Sequence, residues 1–82
     1  MEKAIESLKT VVSLIVNYPD SVEVVSKVDE RGTLLTLKVA KADMGMVVGK
    51  QGVMANALRV IMKSVGAKEK LNVSMKIEEP NQ

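Results

Sequence analysis

The residues with the clearest chemical potential are Gly49-Lys50-Gln51-Gly52, two glycines bracketing a lysine and a glutamine between apolar, helix-compatible segments. A tight glycine-framed turn at the mouth of a helix aims backbone N–H groups outward, and such groups attract phosphate. Glycine at both ends lets a polyanion backbone approach with no Cβ in the way. The Lys50 ammonium adds a point charge. Alone, the pattern is weak and better suits an ordinary corner between two helices, so the rest of the chain has to supply context. A nucleotide-triphosphate loop fits poorly. In Gly45-Met46-Val47-Val48-Gly49-Lys50 only three residues separate the glycines, where four are needed. Gln51 follows the lysine where a Ser or Thr hydroxyl would hold magnesium. Nucleotide hydrolysis is excluded on those grounds.

The chain contains no cysteine and no histidine. Disulfides, thiolate zinc sites, nucleophilic dyads and imidazole bases are therefore excluded. The carboxylates are not paired in any apolar context, so the reading is of a non-enzyme with no catalytic residues, no metal and no cofactor. Its 82 residues, 46% hydrophobic and 27% charged, suit one small globular domain. No uninterrupted apolar run exceeds three residues, far short of a membrane span. The N-terminus lacks a basic region leading into an apolar one, so a cytoplasmic location is expected.

The net charge of +2 is unevenly spread. Residues 1–43 carry six Lys/Arg against seven Asp/Glu. Residues 44–77 carry Lys50, Arg59, Lys63, Lys68, Lys70 and Lys76 against Glu69 alone. Positive charge accumulates on the half that holds the glycine turn, as a polyanion binder requires. A solvated basic face would look the same.

These residues need elements to position them. Ile5, Leu8, Val12 and Ile15 predict an amphipathic helix over 2–17, stopped by Pro19. A valine-rich strand over 22–29, a turn at Asp29-Glu30-Arg31-Gly32 and a strand over 33–40 make a hairpin, with Leu35, Leu37 and Val39 facing one way. Asp43 is the expected N-cap of a short helix, 44–48. Past the glycine turn, a helix over 53–65 carries an apolar stripe of Met54, Ala57, Leu58, Ile61, Met62 and Val65 and a polar stripe of Asn56, Arg59 and Lys63, with Gly66 as its C-terminal cap. Leu71, Val73, Met75 and Ile77 alternate with polar residues as a last strand with one wet face. The order is αββααβ, an α+β fold with a three-stranded sheet and helices packed on one face. One domain over 1–79 is expected, with 80–82 a disordered tail.

Asp43-x-Gly45-x-Val47-Val48-Gly49-Lys50-Gln51-Gly52, followed by Ala57-Leu58-Arg59, resembles the core of a KH domain. The αββααβ order resembles the type II, bacterial arrangement. Length and the Pro19-Asp20 helix end make the chain similar to the small bacterial KhpA (YlqC) family of RNA-binding proteins, a resemblance that covers everything but the tail. It implies single-stranded RNA along a groove beside the Gly-x-x-Gly loop, with Gly49, Lys50, Gln51 and Gly52 on phosphate and Val53, Asn56, Arg59 and Met46 as further RNA contacts. Apolar residues of the short helix and the second strand would floor the groove. It also implies an RNA chaperone or post-transcriptional regulator, a second, larger KH-domain protein as partner, roles in cell shape, and a weak homo- or heterodimer. Many family members have basic residues where this chain has Val53 and Asn56. That departure keeps a second class open: a protein-interaction or dimerisation module docking on a ribosome or a KH partner, with weak RNA affinity. Tyr18 is the only aromatic, so base stacking is not the expected source of affinity.

Overall fold

Alternation in the second strand sets the frame. Thr33, Leu35, Leu37 and Val39 are buried, while Leu34, Thr36 and Lys38 are partly exposed. A strand with that period has one face on a core and one toward water. The computed structural model describes residues 2–78, apart from the side chains of Lys50 and Gln51. The expected tail lies outside the described residues.

The elements are α1 (Glu2–Ile15), a 3-10 turn (Pro19–Ser21), β1 (Glu23–Asp29), β2 (Gly32–Lys38), α2 (Lys41–Lys68) and β3 (Val73–Glu78). The sheet order is β1-β2-β3. β1 and β2 pair antiparallel, with Val25 opposite Thr36, and β2 and β3 pair parallel, with Leu35 opposite Met75. A parallel pair needs a long crossover, which α2 supplies. Both helices cover the inward face and share a core with Leu8, Val12, Leu35, Leu37, Val39, Val47, Leu58, Met62, Val73 and Met75.

The hairpin turn needs a glycine. Gly32 sits at φ +130, and a Cβ there would strike the Asn72 backbone. That close approach is used, because the Thr33 N–H donates to the Asn72 carbonyl at 2.8 Å and Asn72 Nδ2 donates to the Arg31 carbonyl at 2.6 Å.

Several boundaries differ from the sequence reading. Asp43 is not an N-cap: α2 begins two residues earlier, after Ala40. No loop interrupts the helical run at Gly49 to Gly52. Only Gly52 turns left-handed, at φ +74, and helical bonding continues on either side. A residue at that φ cannot sit in a straight right-handed helix, so α2 has two arms, one on each side of Gly52. These arms are the two expected helices, and the order αββααβ stands. Gly66 lies inside the second arm because a Cβ there would meet the Val73 side chain and the Leu71 carbonyl. The true end is a Schellman arrangement: the Leu71 N–H donates to the Gly66 carbonyl at 2.7 Å, and Lys70 takes the left-handed position at φ 60. The second arm is also turned relative to its expected stripe. Ala55, Leu58 and Met62 are buried, whereas Ala57 and Ile61 are exposed. The apolar arc is wider than the contact with the sheet, and its surplus edge faces outward.

Candidate nucleic-acid interface

Around Gly52 the two arms of α2 present two adjoining surfaces. The first is an apolar cleft of about 310 Å³ lined by Gly45, Met46 and Gly49 from the first arm and Val53, Met54 and Ala57 from the second. Small residues make it. Beyond its chain neighbours and its own turn of helix, a Cβ on Gly45 or Gly49 would meet no described atom within 4 Å, so neither glycine is required by packing against the rest of the fold. The second surface is polar. Gly52, Asn56 and Arg59 follow at spacings of four and three, which puts them on one helix face. Asn56 Oδ1 accepts a hydrogen bond from Arg59 Nη1 at 3.1 Å. Arg59 Nε donates to the Met75 carbonyl in β3 at 3.2 Å.

Of the residues the sequence singles out, Met46, Gly49 and Val53 thus meet in the cleft, and Gly52, Asn56 and Arg59 form the polar row. The side chains of Lys50 and Gln51 lie outside the described residues, though their backbone is part of α2. β2 floors neither surface. Its inward residues Leu35 and Leu37, and Val39 just past its end, are fully buried beneath the helices, and the strand that meets the polar row is β3.

Sequence reasoning missed Gly45, Met54 and Ala57 as cleft residues. The available signal was the recurrence of Gly45 and Gly49 at a four-residue interval, repeated by Val53 and Ala57. It also gave Asp43 the wrong partner: instead of capping a helix, Asp43 is fully buried and its side-chain oxygens accept from the Asn17 and Tyr18 amides at 2.9 and 3.0 Å. This bond pair fixes the first arm against the end of α1. The described residues hold no cluster of three or more His, Cys, Asp or Glu that could take a metal, and no helix long and apolar enough to cross a membrane.

A mixed three-stranded sheet, helices on one face and a Gly-x-x-Gly turn between two helical arms define a type II KH domain. The family model for the KH domain of KhpA and KhpB matches residues 5–77, and the chain belongs to that family. Among its relatives, the RNA-binding protein KhpA of Caldanaerobacter subterraneus subsp. tengcongensis is 42% identical over 72 residues, 88% of this chain and 96% of the relative. The RNA-binding protein KhpA of Clostridium acetobutylicum is 41% identical over 70 residues, 85% of this chain and 93% of the relative. That of Listeria monocytogenes is 32% identical over 74 residues, 90% and 97% of the two chains. No solved structure gives a significant match.

Proposed function

We propose that this protein binds single-stranded RNA at the Gly49–Gly52 turn and acts in the cytoplasm as an RNA chaperone or post-transcriptional regulator. The activity is binding, not catalysis. The observation that carries the reading is Gly49. It lies within a helix, where glycine is roughly 1 kcal/mol worse than alanine, and no described neighbour requires it to lack a side chain. A bare backbone kept at a cost, beside a left-handed Gly52 and an open apolar cleft, suits a ligand that must come close. The relatives' RNA-binding names support the same reading. In it, the close-approaching backbone of Gly49 to Gly52 and the Lys50 ammonium hold phosphates, and Met46 and Val53 offer bases an aliphatic surface.

The test is a titration of a short single-stranded RNA at two salt concentrations. Contact with two phosphates gives a slope of log affinity against log salt of about −1.4. A folded protein that binds no RNA at low salt overturns the proposal, and the protein-interaction reading then takes its place.

We infer assembly as well, as a weak homodimer or a heterodimer with another KH-domain protein. A site contacting only about four nucleotides gains from a second one through effective concentration. Val11 and Ile61 are exposed at a cavity of about 370 Å³ on the flank where α1 meets the second arm of α2, and Leu14 and Val60 are exposed on the same two helices. None of the cavity's lining residues belongs to the cleft or the polar row, so pairing there leaves the RNA face open. Sedimentation showing a strict monomer, with no KH partner in a pull-down, removes this part.

A further inference from the structure

The polar row has a chemical sign that the sequence does not disclose. A guanidinium has five N–H donors and no acceptor. The Asn56 atom facing Arg59 Nη1 must therefore be the oxygen, and the amide orientation is fixed without sight of hydrogens. Both acceptors of the row, Asn56 Oδ1 and the Met75 carbonyl, point at the guanidinium. What remains is rich in donors: the two N–H groups of Asn56 Nδ2 and three of the five on Arg59, against a single spare lone pair on Asn56 Oδ1. Asn56 Nδ2 lies 3.8 Å from where a Gly52 Cβ would stand, so this donor array begins at the turn itself. Asn56 is exposed and Arg59 only half-buried.

We propose that Asn56 and Arg59 together discriminate between bases, selecting an edge with two adjacent acceptors, guanine through O6 and N7 or cytosine through O2 and N3, over adenine and uracil. This rests on the RNA-binding reading above and adds a base preference to it. A free asparagine reads adenine bidentately, accepting from N6 and donating to N7. At Asn56 an adenine N6 would have to share Oδ1 with the guanidinium already bonded to it, so the pairing is weaker than that of a free asparagine. Uracil alternates acceptor, donor and acceptor along its edge, so a donor array meets one of its acceptors at a time. Arginine on guanine O6 and N7 is the matched case. A phosphate is also acceptor-only, but it carries no sequence, and this difference separates the two uses of the row.

The experiment titrates the full chain, by fluorescence anisotropy, with uridine octamers carrying a central guanosine, cytidine or adenosine, and with the all-uridine octamer. The guanosine and cytidine octamers should bind roughly tenfold tighter than the adenosine and all-uridine ones, within the range of one good bidentate contact. Replacing the central base by 7-deazaguanine, which has C–H in place of N7, should erase the guanine advantage. In Asn56→Ala, folded by circular dichroism, the ratio between guanosine and adenosine octamers should collapse, which loss of overall affinity alone would not produce. Equal binding of all four octamers overturns the inference and leaves RNA binding intact. Arg59→Lys weakening all four by the same factor likewise overturns it, by making the row a phosphate clamp. Binding of no octamer by the folded protein removes the RNA-binding reading and this one together.

Discussion

Asp43 Oδ2 accepts a hydrogen bond from the backbone N–H of Tyr18 at 3.0 Å, across 25 residues of chain. Its other oxygen does the same for Asn17 at 2.9 Å. One buried side chain thereby joins the exit from α1 to the first turn of α2, the arm that leads to Gly49. Asp43→Ala removes both acceptors at once. Two lost hydrogen bonds of this kind cost about 2–3 kcal/mol together. Asp43→Asn keeps one acceptor but turns an NH2 group against the other amide, so it recovers only part of the loss. Urea denaturation measures this, and an unchanged midpoint for Asp43→Ala would show that the two amides find other partners without cost.

The glycines separate folding from binding. Gly52→Ala introduces a side chain at φ +74, where the space is open and only backbone strain opposes it, so stability should fall by about 1–2 kcal/mol. Gly66→Ala should also destabilise, by collision with Val73 and the Leu71 carbonyl. Gly49→Ala should do the opposite. It relieves a helical glycine and should raise stability by about 0.5–1 kcal/mol. In the proposed function, its methyl group stands where the RNA backbone approaches, so RNA affinity should drop as stability rises. A Gly49→Ala protein that is more stable and binds RNA undiminished would mean that the cleft is not the approach path.

Most of this fold was legible because periodicity is a direct imprint of burial. The alternation of Leu35, Leu37 and Val39, and of Val73 with Met75, was read correctly, since a one-residue slip would turn every side chain to the wrong face. The polar stripe of Asn56, Arg59 and Lys63 was read correctly too. What escaped depended on partners distant in sequence. Asp43 before an apolar run looks like an N-cap by every local rule, and only the position of Tyr18 shows otherwise. Gly66 near a helix end looks like a cap, and only Val73 shows that the glycine is there for clearance. In the site itself, the cleft and the donor row could not be separated in sequence, because Val53 and Asn56 lie three residues apart and their division depends on Met75.

Glu78 offers a pH-dependent test of the sheet's open face. Its carboxylate pairs with Lys76 Nζ at 2.9 Å, two residues back along β3. That hydrogen bond and the Lys76 charge hold its pKa below the ordinary carboxylate range, with a smaller push from Lys38, its neighbour across the β2–β3 ladder. A depressed folded-state pKa contributes stability above the unfolded value, and the contribution is lost as pH falls through the folded one. The pair is exposed, so the effect is small and screened by salt. Carboxyl resonances followed by NMR should show Glu78 titrating lower than an ordinary glutamate. Lys76→Met should return it toward the ordinary range. A Glu78 midpoint that ignores this substitution would assign the shift to Lys38 instead.

Replacing Lys50 and Gln51 together by Asp puts two negative charges where the proposed function puts a phosphate. Both are polar residues in a turn framed by glycines in the sequence, so the fold should survive, with a melting curve near that of the parent. RNA affinity should fall at least tenfold, about 1.4 kcal/mol, because attraction becomes repulsion at close range. Raising salt should weaken the parent more than the variant, since the variant has lost a cation and the counterion it releases from RNA. Lys68→Asp is the control. Lys68 is the last residue of α2, lines the cavity beside α1, and lies far along the second arm from Gly52. It should matter much less if the turn is a specific clamp, and about as much if the basic half attracts RNA diffusely. A double variant that melts normally and binds like the parent would make Gly49 to Gly52 a structural corner, and the exposed flank at Val11 and Ile61 would then carry the function through protein contacts.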